Sequence, residues 1–458
     1  MKCKCTPSSR QFPIEGSGFS RRNFLRVAGT SLVASYFADV VDPRLLLAQT
    51  SNASATLRNS AKSVIFIFLQ GAPSQIDMWD LKEGAWTPSD LAPTSYGDVR
   101  WPQGLLPKTA EHLSKLTIVR SGLAWAAVHQ LAQSWAQIVR NPGGATGAIA
   151  PHMGAVVSLE SQAGRAVGDV LPGFIALNAN QMPSAGYFPA RYAPFSIPTD
   201  PAGVPTLTHG DGEARFRSRW ALLHELDAAR ADGSRAKQST DMGDYFDHAK
   251  VLMETPGIND IFAFTAEDRA RYGNTTFGES LLVARNIVAS KKGTRFVQVS
   301  LGGWDHHGNI YARDAANSLW AQCNEQFDPA FGTLLGDLSA MGLLDETLIV
   351  VLGEFGRTVG PLNSAGGRDH YLRQSFVFAG GGTRGGRAIG KTDAIGDKAV
   401  DYEWSANRDV RIEDVSATIY STLGVDYTTL RNDDPLGRGF EYVPYAKDGL
   451  YHPIEEMF

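Results

Sequence analysis

Cysteine is scarce in this chain, which has three cysteines among 458 residues. Cys3 and Cys5 lie at the extreme N-terminus, and we interpret their C-x-C spacing as incidental. If the N-terminal segment is removed, Cys323 is left alone. The remaining chain then contains no intramolecular disulfide, and a zinc site built from thiolates is excluded.

The chain also lacks an excess of positive charge, with 43 Lys and Arg against 48 Asp and Glu. Residues 1–48 hold seven of these basic and three of these acidic side chains, so their removal leaves 36 basic and 45 acidic groups, a net charge of −9. This balance argues against nucleic acid or an anionic membrane surface as the main partner.

Long hydrophobic runs are missing as well. The apolar stretch at residues 27–38 (VAGTSLVASYFA) is too short and too rich in small polar residues to predict a membrane span. It follows a twin-arginine pattern at residues 20–25 (SRRNFL). Together they predict a signal peptide over residues 1–48 and no stable membrane span after its cleavage.

The signal peptide predicts where the protein works. We expect export by the twin-arginine translocation machinery and a periplasmic or extracellular location. Cleavage near Ala48 is expected, although no clean Ala-x-Ala box fixes the site. Because this pathway carries folded proteins, a metal could be taken up before export. The alternative is a chance Arg-Arg pair before an apolar helix.

Residues 49–458 predict a single α/β domain, since they contain no tandem repeat and no long low-complexity linker. An insertion of loops and helices is expected at about 178–290, beginning with a surface excursion over 178–212. Apolar, β-branched runs predict strands at 63–69, 116–119, 295–301, 346–352 and 375–379. Helices are predicted at 108–115, 129–140, 213–231, 240–254, 277–290, 314–341 and 412–423. The alternation predicts a mostly parallel sheet covered on both faces.

Acidic and imidazole groups concentrate in three glycine-containing clusters beside predicted strands. Residues 302–309 (GGWDHHGN) and 353–358 (GEFGRT) each follow a strand, and residues 367–371 (GRDHY) precede one. Ligands and chemistry are found at the strand ends of such sheets. We therefore predict that the three clusters form one functional site.

The residue types in these clusters suit metal binding. Side chains alternate along an extended loop, so Asp305 and His307 should point to one side and His306 to the other. Mixed carboxylate and imidazole sets suit zinc, iron or manganese, and calcium is a further candidate, whereas a metal-free site is the alternative. The predicted ligands are Asp305, His307, Glu354 and His370.

Further side chains are expected around this set. Asp369 is placed to orient an imidazole, and Arg357 and Arg368 are placed to bind an anionic oxygen by fork geometry. His306 is expected as a further supporting or anion-binding group.

Structural interpretations of the same residues stay open. The histidines at 306–307 could cap a helix or bond to backbone. Glu354 could form a salt bridge with Arg357 that stabilises a loop, and Asp369 and His370 could form a buried structural pair. The concentration of titratable groups in a few residues favours a shared functional site over these readings.

Five segments of the chain resemble, in order, the blocks of a large uncharacterised family of twin-arginine-exported bacterial proteins. They are residues 66–82 (FIFLQGAPSQIDMWDLK), 303–307 (GWDHH), 353–358 (GEFGRT), 367–370 (GRDH) and 434–438 (DPLGR). The resemblance spans about residues 20–443. That family is grouped with the alkaline phosphatase and sulfatase superfamily. The resemblance therefore implies a three-layer α/β/α sandwich and, by analogy, hydrolysis of phosphate or sulfate esters at a metal centre.

The chain departs from the superfamily's pattern in its first half. Gln70-Gly71 follows the first strand where a metal-binding Asp is usual, with Ser74 and Asp77 nearby as anion-binding or supporting groups. The helix after the second strand opens with His129 instead of a Ser, Thr or Cys nucleophile. Glu354-Phe355 replaces an Asp-His pair. We therefore expect an atypical active site in which His129 is a nucleophile, a general base or a further ligand.

Three functions remain in consideration. The first is an exported, metal-dependent hydrolase of phosphate or sulfate esters, with His129 and Arg357 as the predicted catalytic residues. The second is an inactive binding protein that retains an anionic small molecule or a sulfated or phosphorylated glycan. The third is a structural envelope protein, for which the 178–212 excursion and the aromatic segment 187–192 (YFPARY) would form an interaction face.

Overall fold

The structure, a computed structural model, describes residues 55, 57–179, 182–207, 209–228 and 236–458. The predicted signal peptide at residues 1–48 lies outside the described residues. Among the residues that are described, no helix is both long enough and apolar enough to cross a lipid bilayer.

The centre of the fold is a sheet that contains eight strands in the described part of the chain, in the order β8-β2-β7-β6-β1-β5-β3-β4. Seven of these strands run parallel and β7 runs antiparallel to its neighbours β2 and β6. The strands are β1 (Ser63–Leu69), β2 (Leu116–Leu123), β3 (Phe174–Leu177), β4 (Phe195–Ile197), β5 (Phe296–Leu301), β6 (Thr347–Leu352), β7 (Arg373–Ala379) and β8 (Arg387–Ile389). The prediction of an α/β fold with a mostly parallel sheet is confirmed.

Helices connect and cover these strands. They are α1 (Pro107–Ala110), α2 (His129–Ile138), α3 (Met153–Glu160), α4 (Glu213–Ala228), α5 (Ala236–Glu254), α6 (Ile258–Phe262), α7 (Ala266–Arg271), α8 (Thr276–Ser290), α9 (Asp328–Ala340) and α10 (Ile412–Leu423). A π-helix at Trp320–Phe327 leads directly into α9. Short antiparallel strand pairs lie outside the main sheet, at Pro93–Tyr96 with Val99–Pro102, Gly356–Arg357 with His370–Tyr371, Lys391–Thr392 with Ala399–Asp401, and Leu430–Arg431 with Phe440–Glu441.

The two faces of the sheet have separate hydrophobic cores. Alternate residues of β1 point to opposite faces, so Ile65 and Ile67 pack with α8 and α9, whereas Phe66 and Phe68 pack with α3 and α10. Each fully buried side chain of this size stabilises the fold by roughly 1.5–3 kcal/mol. Burial on both faces explains why the strand is continuously apolar, and it makes the domain a three-layer α/β/α sandwich.

The structure corrects several helix boundaries. The helix predicted at 108–115 is α1 followed by a 3-10 helix at Leu113–Lys115, and the helix predicted at 240–254 is α5, which begins at Ala236. The helix predicted at 314–341 begins near Leu319, because the Ser318 hydroxyl accepts a hydrogen bond from the Ala321 N–H and so caps a later start. The helix predicted at 129–140 ends at Ile138, because Val139 adopts a left-handed backbone with φ of 62°.

Some elements were missed. The strands β3, β4 and β8 contain only three or four residues each, too few to show an alternating pattern. One of them, β4, lies inside the segment 178–212 that was predicted to be a surface excursion, and it forms an edge of the main sheet. Helix α3 was missed as well, because its apolar residues are too uniform to give helical periodicity.

The topology brings the three glycine-containing clusters together. The parallel strands β1, β5 and β6 are neighbours, so the loops that follow them all leave the sheet where the carboxyl ends of these strands lie together. This side of the sheet is the edge that carries the site. Because β7 is antiparallel to β6, the segment that enters it, residues 367–371, lies at that same edge. Pairing of Arg357 with His370 in a two-residue ladder holds the second and third clusters side by side.

Candidate metal centre

The loops at this edge approach each other so closely that two glycines are required. A Cβ atom on Gly71, whose φ is 110°, would lie 2.7 Å from the Asp305 nitrogen. A Cβ atom on Gly367 would lie 2.1 Å from the carbonyl carbon of His307. Real Cβ atoms do not approach backbone so closely, so the absence of a side chain at each position permits the loops to pack.

Three imidazoles and one carboxylate converge at this edge. One ligand atom from each of His129, Asp305, His307 and His370 lies within 4.8 Å of all the others. The Asp305 Oδ1 atom is 3.0 Å from His307 Nε2, 3.3 Å from His129 Nε2 and 3.6 Å from His370 Nε2. Asp305 and His307 are exposed while Trp304 and His306 are buried, which is the alternation that an extended loop predicts.

All three imidazoles are oriented in the same way. Each Nδ1 atom lies within hydrogen-bonding distance of a protein oxygen, which favours a proton on Nδ1 and leaves the Nε2 lone pair directed into the cluster. The oxygens are Glu354 Oε1 at 2.8 Å from His129, Asp369 Oδ1 at 2.8 Å from His307, and the Ala127 carbonyl at 2.9 Å from His370. This is the arrangement by which proteins prepare histidine for a metal ion.

Glu354 lies behind His129 instead of beside the other three predicted ligands. Its carboxylate is buried and accepts hydrogen bonds from the Gly71 N–H at 2.9 Å and from Gln133 Nε2 at 3.0 Å. His129, which was predicted as a nucleophile, a base or a ligand, occupies the place in the cluster where Glu354 was expected. Gln133 was not predicted, although its position four residues after His129 on one helix face could have indicated it.

Neighbouring charges set the ionisation of the cluster. The hydrogen bond to Glu354 raises the pKa of His129 above its usual value. Burial raises the pKa of Asp305, but the hydrogen bond and the charge of Arg357 outweigh it, so that the pKa is lowered overall. The hydrogen bond with His307 lowers the pKa of Asp369. Both aspartates therefore carry a negative charge at neutral pH.

Arg357 is wholly buried, and its guanidinium donates to protein oxygens. The acceptors are the carbonyls of Gly71, Ala72 at 3.0 Å and Arg368 at 3.1 Å, together with the carboxylate of Asp305. Arg357 thus ties the loop after β1 to the loop after β5 and holds Asp305 in place. Its predicted catalytic contact with an anionic oxygen remains a prediction.

Arg368, Asp77 and Ser74 form a second polar cluster that is wholly buried. The Arg368 guanidinium donates to both carboxylate oxygens of Asp77, at 2.7 and 3.2 Å, and to the carbonyls of Thr358 and Gly360. Asp77 also accepts from the hydroxyls of Ser74 and Tyr311, each at 2.6 Å. The structure therefore brings these three predicted residues together with one another, joined by Tyr311, which the sequence did not indicate.

The remaining predicted residue, His306, is buried beside Trp304 and the second cluster. Burial lowers its pKa to about 4, so the ring is neutral at neutral pH. Its backbone carbonyl accepts a hydrogen bond from the Arg368 N–H at 2.8 Å. That bond joins the loop at residues 302–309 to the segment at residues 367–371.

The four converging residues fit a divalent metal ion. His129 Nε2 is buried and forms no hydrogen bond with a described residue, although a carboxylate oxygen lies 3.3 Å away. A buried nitrogen in this state is costly unless something else binds it. Three imidazole nitrogens and one carboxylate oxygen are a donor set that zinc, iron and manganese accept.

The fold is similar to that of several solved structures at low sequence identity. A lipoteichoic acid synthase, LtaP from Listeria monocytogenes, is 9% identical, with 87% of this chain and 80% of that chain covered and a TM-score of 0.41. The PsFucS1 sulfatase from Pseudoalteromonas sp. is 10% identical, with 84% and 72% covered and a TM-score of 0.39. A protein in the alkaline phosphatase superfamily from Vibrio parahaemolyticus is 13% identical, with 84% and 72% covered and a TM-score of 0.35.

Sequence comparison shows the family. No curated protein sequence matches this chain. A family model described as a protein of unknown function, DUF1501, matches residues 61–447. That range contains the central sheet and every residue of the two polar clusters. The chain therefore belongs to the DUF1501 family.

Proposed function

We propose that this protein is a metal-dependent hydrolase of phosphate or sulfate esters. The observation that carries the proposal is the convergence of three Nε2 atoms on the Asp305 carboxylate, with every Nδ1 atom bound to an oxygen behind it. Histidines that bind a metal almost always donate their other ring N–H to an oxygen in this way. The choice of phosphate and sulfate esters rests on the resemblance of the sequence blocks to the alkaline phosphatase and sulfatase superfamily.

Four residues would bind the ion, and the oxygens bound to their Nδ1 atoms would keep the three imidazoles in position. A bound divalent cation would supply a Lewis acid that polarises the ester and lowers the pKa of water. His129, Asp305, His307 and His370 would hold it. Since about half of the Asp305 and His307 side chains is exposed, ester and water can enter from solvent.

His129 acts in this proposal as a ligand and not as a nucleophile. Its Nδ1 atom is bound to Glu354, and its Nε2 atom faces the other three ligands. Neither nitrogen is then free to attack an ester. This assignment gives the first residue of α2 a role that differs from the Ser, Thr or Cys found there in the superfamily.

The expected location of the protein and the charge of the chain narrow the class of substrate. Export by the twin-arginine pathway would place the enzyme in the periplasm or outside the cell, where its partner would be an anionic small molecule or a glycan ester. The negative charge of the chain without residues 1–48 argues against nucleic acid as the substrate.

The proposal is tested by metal analysis of the full-length chain, purified without chelator. We expect near-stoichiometric zinc, iron, manganese or calcium, and turnover of an aryl phosphate, aryl sulfate or aryl phosphonate that ceases on treatment with EDTA. The variant His370→Ala should lose both the metal and the turnover. The control His224→Ala removes an exposed histidine on α4 and should lose neither.

Two results would count against a hydrolase. If His370→Ala binds the metal as the unmodified chain does, the ligand assignment is wrong. If the chain binds a metal that depends on His370 but hydrolyses no ester, the protein is an inactive binding protein on the same fold. The presence of His129 at the position of the superfamily's nucleophile is the observation that favours this second function.

A further inference from the structure

A cleft of about 410 Å³ lies beside α2. Four aromatic rings line it, and they belong to Trp125, Trp135, Tyr445 and Tyr451. A volume of a few hundred Å³ with aromatic and polar side chains in its wall is typical of a small-molecule site.

The wall of the cleft is built around a buried acid. Trp125 and Trp135 stack with ring centroids 5.8 Å apart and planes at 17°. Both indole N–H groups donate to the Glu413 carboxylate, at 3.0 and 3.3 Å. Glu413 is 4% exposed, and burial raises its pKa. The protein therefore keeps a carboxylate acceptor at a costly position, held by two rings that face the cleft.

Backbone strain is stored on both sides of the cleft. Val139 has a φ of 62° and directly precedes Arg140 and Asn141, which line the cleft. Tyr445 has a φ of 59°, and it is 58% exposed. A left-handed backbone is unfavourable for β-branched and bulky residues and costs on the order of 1–3 kcal/mol at each site. Val139 serves to end α2, whereas strain of the kind seen at the exposed Tyr445 is found most often at ligand sites.

The cleft adjoins the candidate metal centre. Trp125 also lines a small cavity with Glu354, the carboxylate that orients His129. Helix α2 carries His129 at its first position and Trp135 six residues later, which is a rise of about 9 Å. The Ala127 carbonyl that orients His370 is two residues beyond Trp125. A ligand somewhat longer than one ester group could therefore reach both places.

The polar groups of the cleft do not suit an anionic ligand. Two acidic residues, Glu413 and Glu441, line it. The Arg140 guanidinium is directed at the protein, because its Nε and Nη2 atoms donate to the backbone carbonyls of Ile138, Glu441 and Tyr442 and it stacks on a phenyl ring. Carboxylates accept hydrogen bonds from hydroxyl groups, and aromatic faces pack against apolar C–H surfaces. A sugar ring offers both.

We propose that this cleft is a subsite for neutral sugar rings of a carbohydrate chain, whose sulfated or phosphorylated residue would lie at the metal centre. The second half of this statement rests on the proposed function, and the first half does not. Tyr445 forms the exposed platform, while Trp125, Trp135 and Glu413 form the wall that receives hydroxyl groups.

Isothermal titration calorimetry of the full-length chain with uncharged sugars tests the subsite. The probes are cellobiose, lactose, maltose and chitobiose, each at millimolar concentration. We expect saturable binding of at least one of them and about tenfold weaker binding by both Tyr445→Ala and Trp135→Phe, a tenfold change being about 1.4 kcal/mol. The matched control is Tyr96→Ala, which removes a tyrosine of 40% exposure outside the cleft.

The His370→Ala variant separates the subsite from the metal centre, and it should bind the same sugar as tightly as the unmodified chain. The subsite is refuted if no probe binds saturably, or if Tyr96→Ala weakens binding as much as Tyr445→Ala does. Saturable sugar binding without ester turnover would retain the subsite and refute the hydrolase. Ester turnover without sugar binding would retain the hydrolase and refute the subsite.

Discussion

Two polar clusters lie side by side in this protein, and their members are only two residues apart at Arg368 and His370. In the buried cluster, the Asp77 and Arg368 side chains are 1% and 0% exposed, and both oxygens of the Asp77 carboxylate are hydrogen bonded. In the exposed cluster, Asp305 and His307 are 48% and 47% exposed, and His129 Nε2 forms no hydrogen bond within the described part of the chain. A satisfied, buried cluster is typical of structure, and a converging, exposed cluster with an unpaired ring nitrogen is typical of ligand binding.

The two clusters are coupled through the loops that carry them. Arg357 donates to Asp305 of the exposed cluster and to the carbonyl of Arg368 of the buried one. The buried cluster therefore fixes the backbone from which the exposed ligands project. Because the two share this backbone and differ in burial, substitutions in one should change stability and substitutions in the other should change metal binding.

The largest effect is expected for Arg368→Ala. Removal of the guanidinium leaves the Asp77 carboxylate buried without its partner, which costs about 3–5 kcal/mol of the free energy of unfolding. Urea unfolding followed by circular dichroism measures it. The control Arg217→Ala breaks an exposed ion pair with Glu213 and should change stability by about 0–1 kcal/mol. Equal losses in the two variants would contradict the distinction.

The next largest effect is expected for His307→Ala, which should weaken metal binding and leave stability nearly unchanged. The side chain is half exposed, so without metal the variant should unfold within about 0.5 kcal/mol of the unmodified chain. Loss of a ligand should weaken metal affinity by more than the roughly 10–100-fold expected for the groups that orient ligands. Competition titration with a coloured chelator measures this affinity. A strongly destabilised variant with normal affinity would assign His307 to structure.

A smaller effect on metal affinity is expected for Glu354→Gln. The amide oxygen can still accept from Gly71 and Gln133, but the negative charge beside His129 is lost. Such a change in a ligand's orienting group should weaken metal affinity by roughly 10–100-fold. The same chelator titration measures it. A loss greater than that of His307→Ala would show that Glu354 is itself a ligand, as the sequence predicts.

The smallest change in stability is expected at Glu413. Its buried carboxylate accepts hydrogen bonds from neutral indole N–H groups, whereas the Asp77 carboxylate accepts them from a charged guanidinium. Burial raises its pKa in the folded protein, so the folded state binds a proton more tightly than the unfolded state. Stability should therefore fall as pH rises through the window between the unfolded pKa, about 4.3, and the folded pKa.

Glu413→Gln removes this dependence. Above the unfolded pKa, the variant should become increasingly more stable than the unmodified chain as pH rises to the folded pKa, and at pH below the unfolded pKa the two should be equal. Thermal unfolding between acidic and mildly alkaline pH measures the difference. A variant that is less stable than the unmodified chain at every pH would show that the carboxylate charge stabilises the fold.

Much of the site could be anticipated from local patterns. Asp305 and His307 are separated by one residue, and the extended loop directs both outward while His306 is buried, as the alternation predicts. His370 and Asp369 follow from their place beside a strand. The position of Glu354 behind His129, away from the other three predicted ligands, could not be anticipated, because the distance between the helix after β2 and the strand β6 depends on how α2 packs on the sheet.

The sequence by itself determined the layered α/β fold, because strands buried on both faces must be continuously apolar. It also determined that imidazoles and carboxylates gather at one edge, because parallel strands end together. The tertiary structure alone decided which of these groups converge and which are buried in pairs. Local periodicity specifies the direction of a side chain relative to its own element, whereas the partners that it meets depend on the packing of elements far apart in the chain.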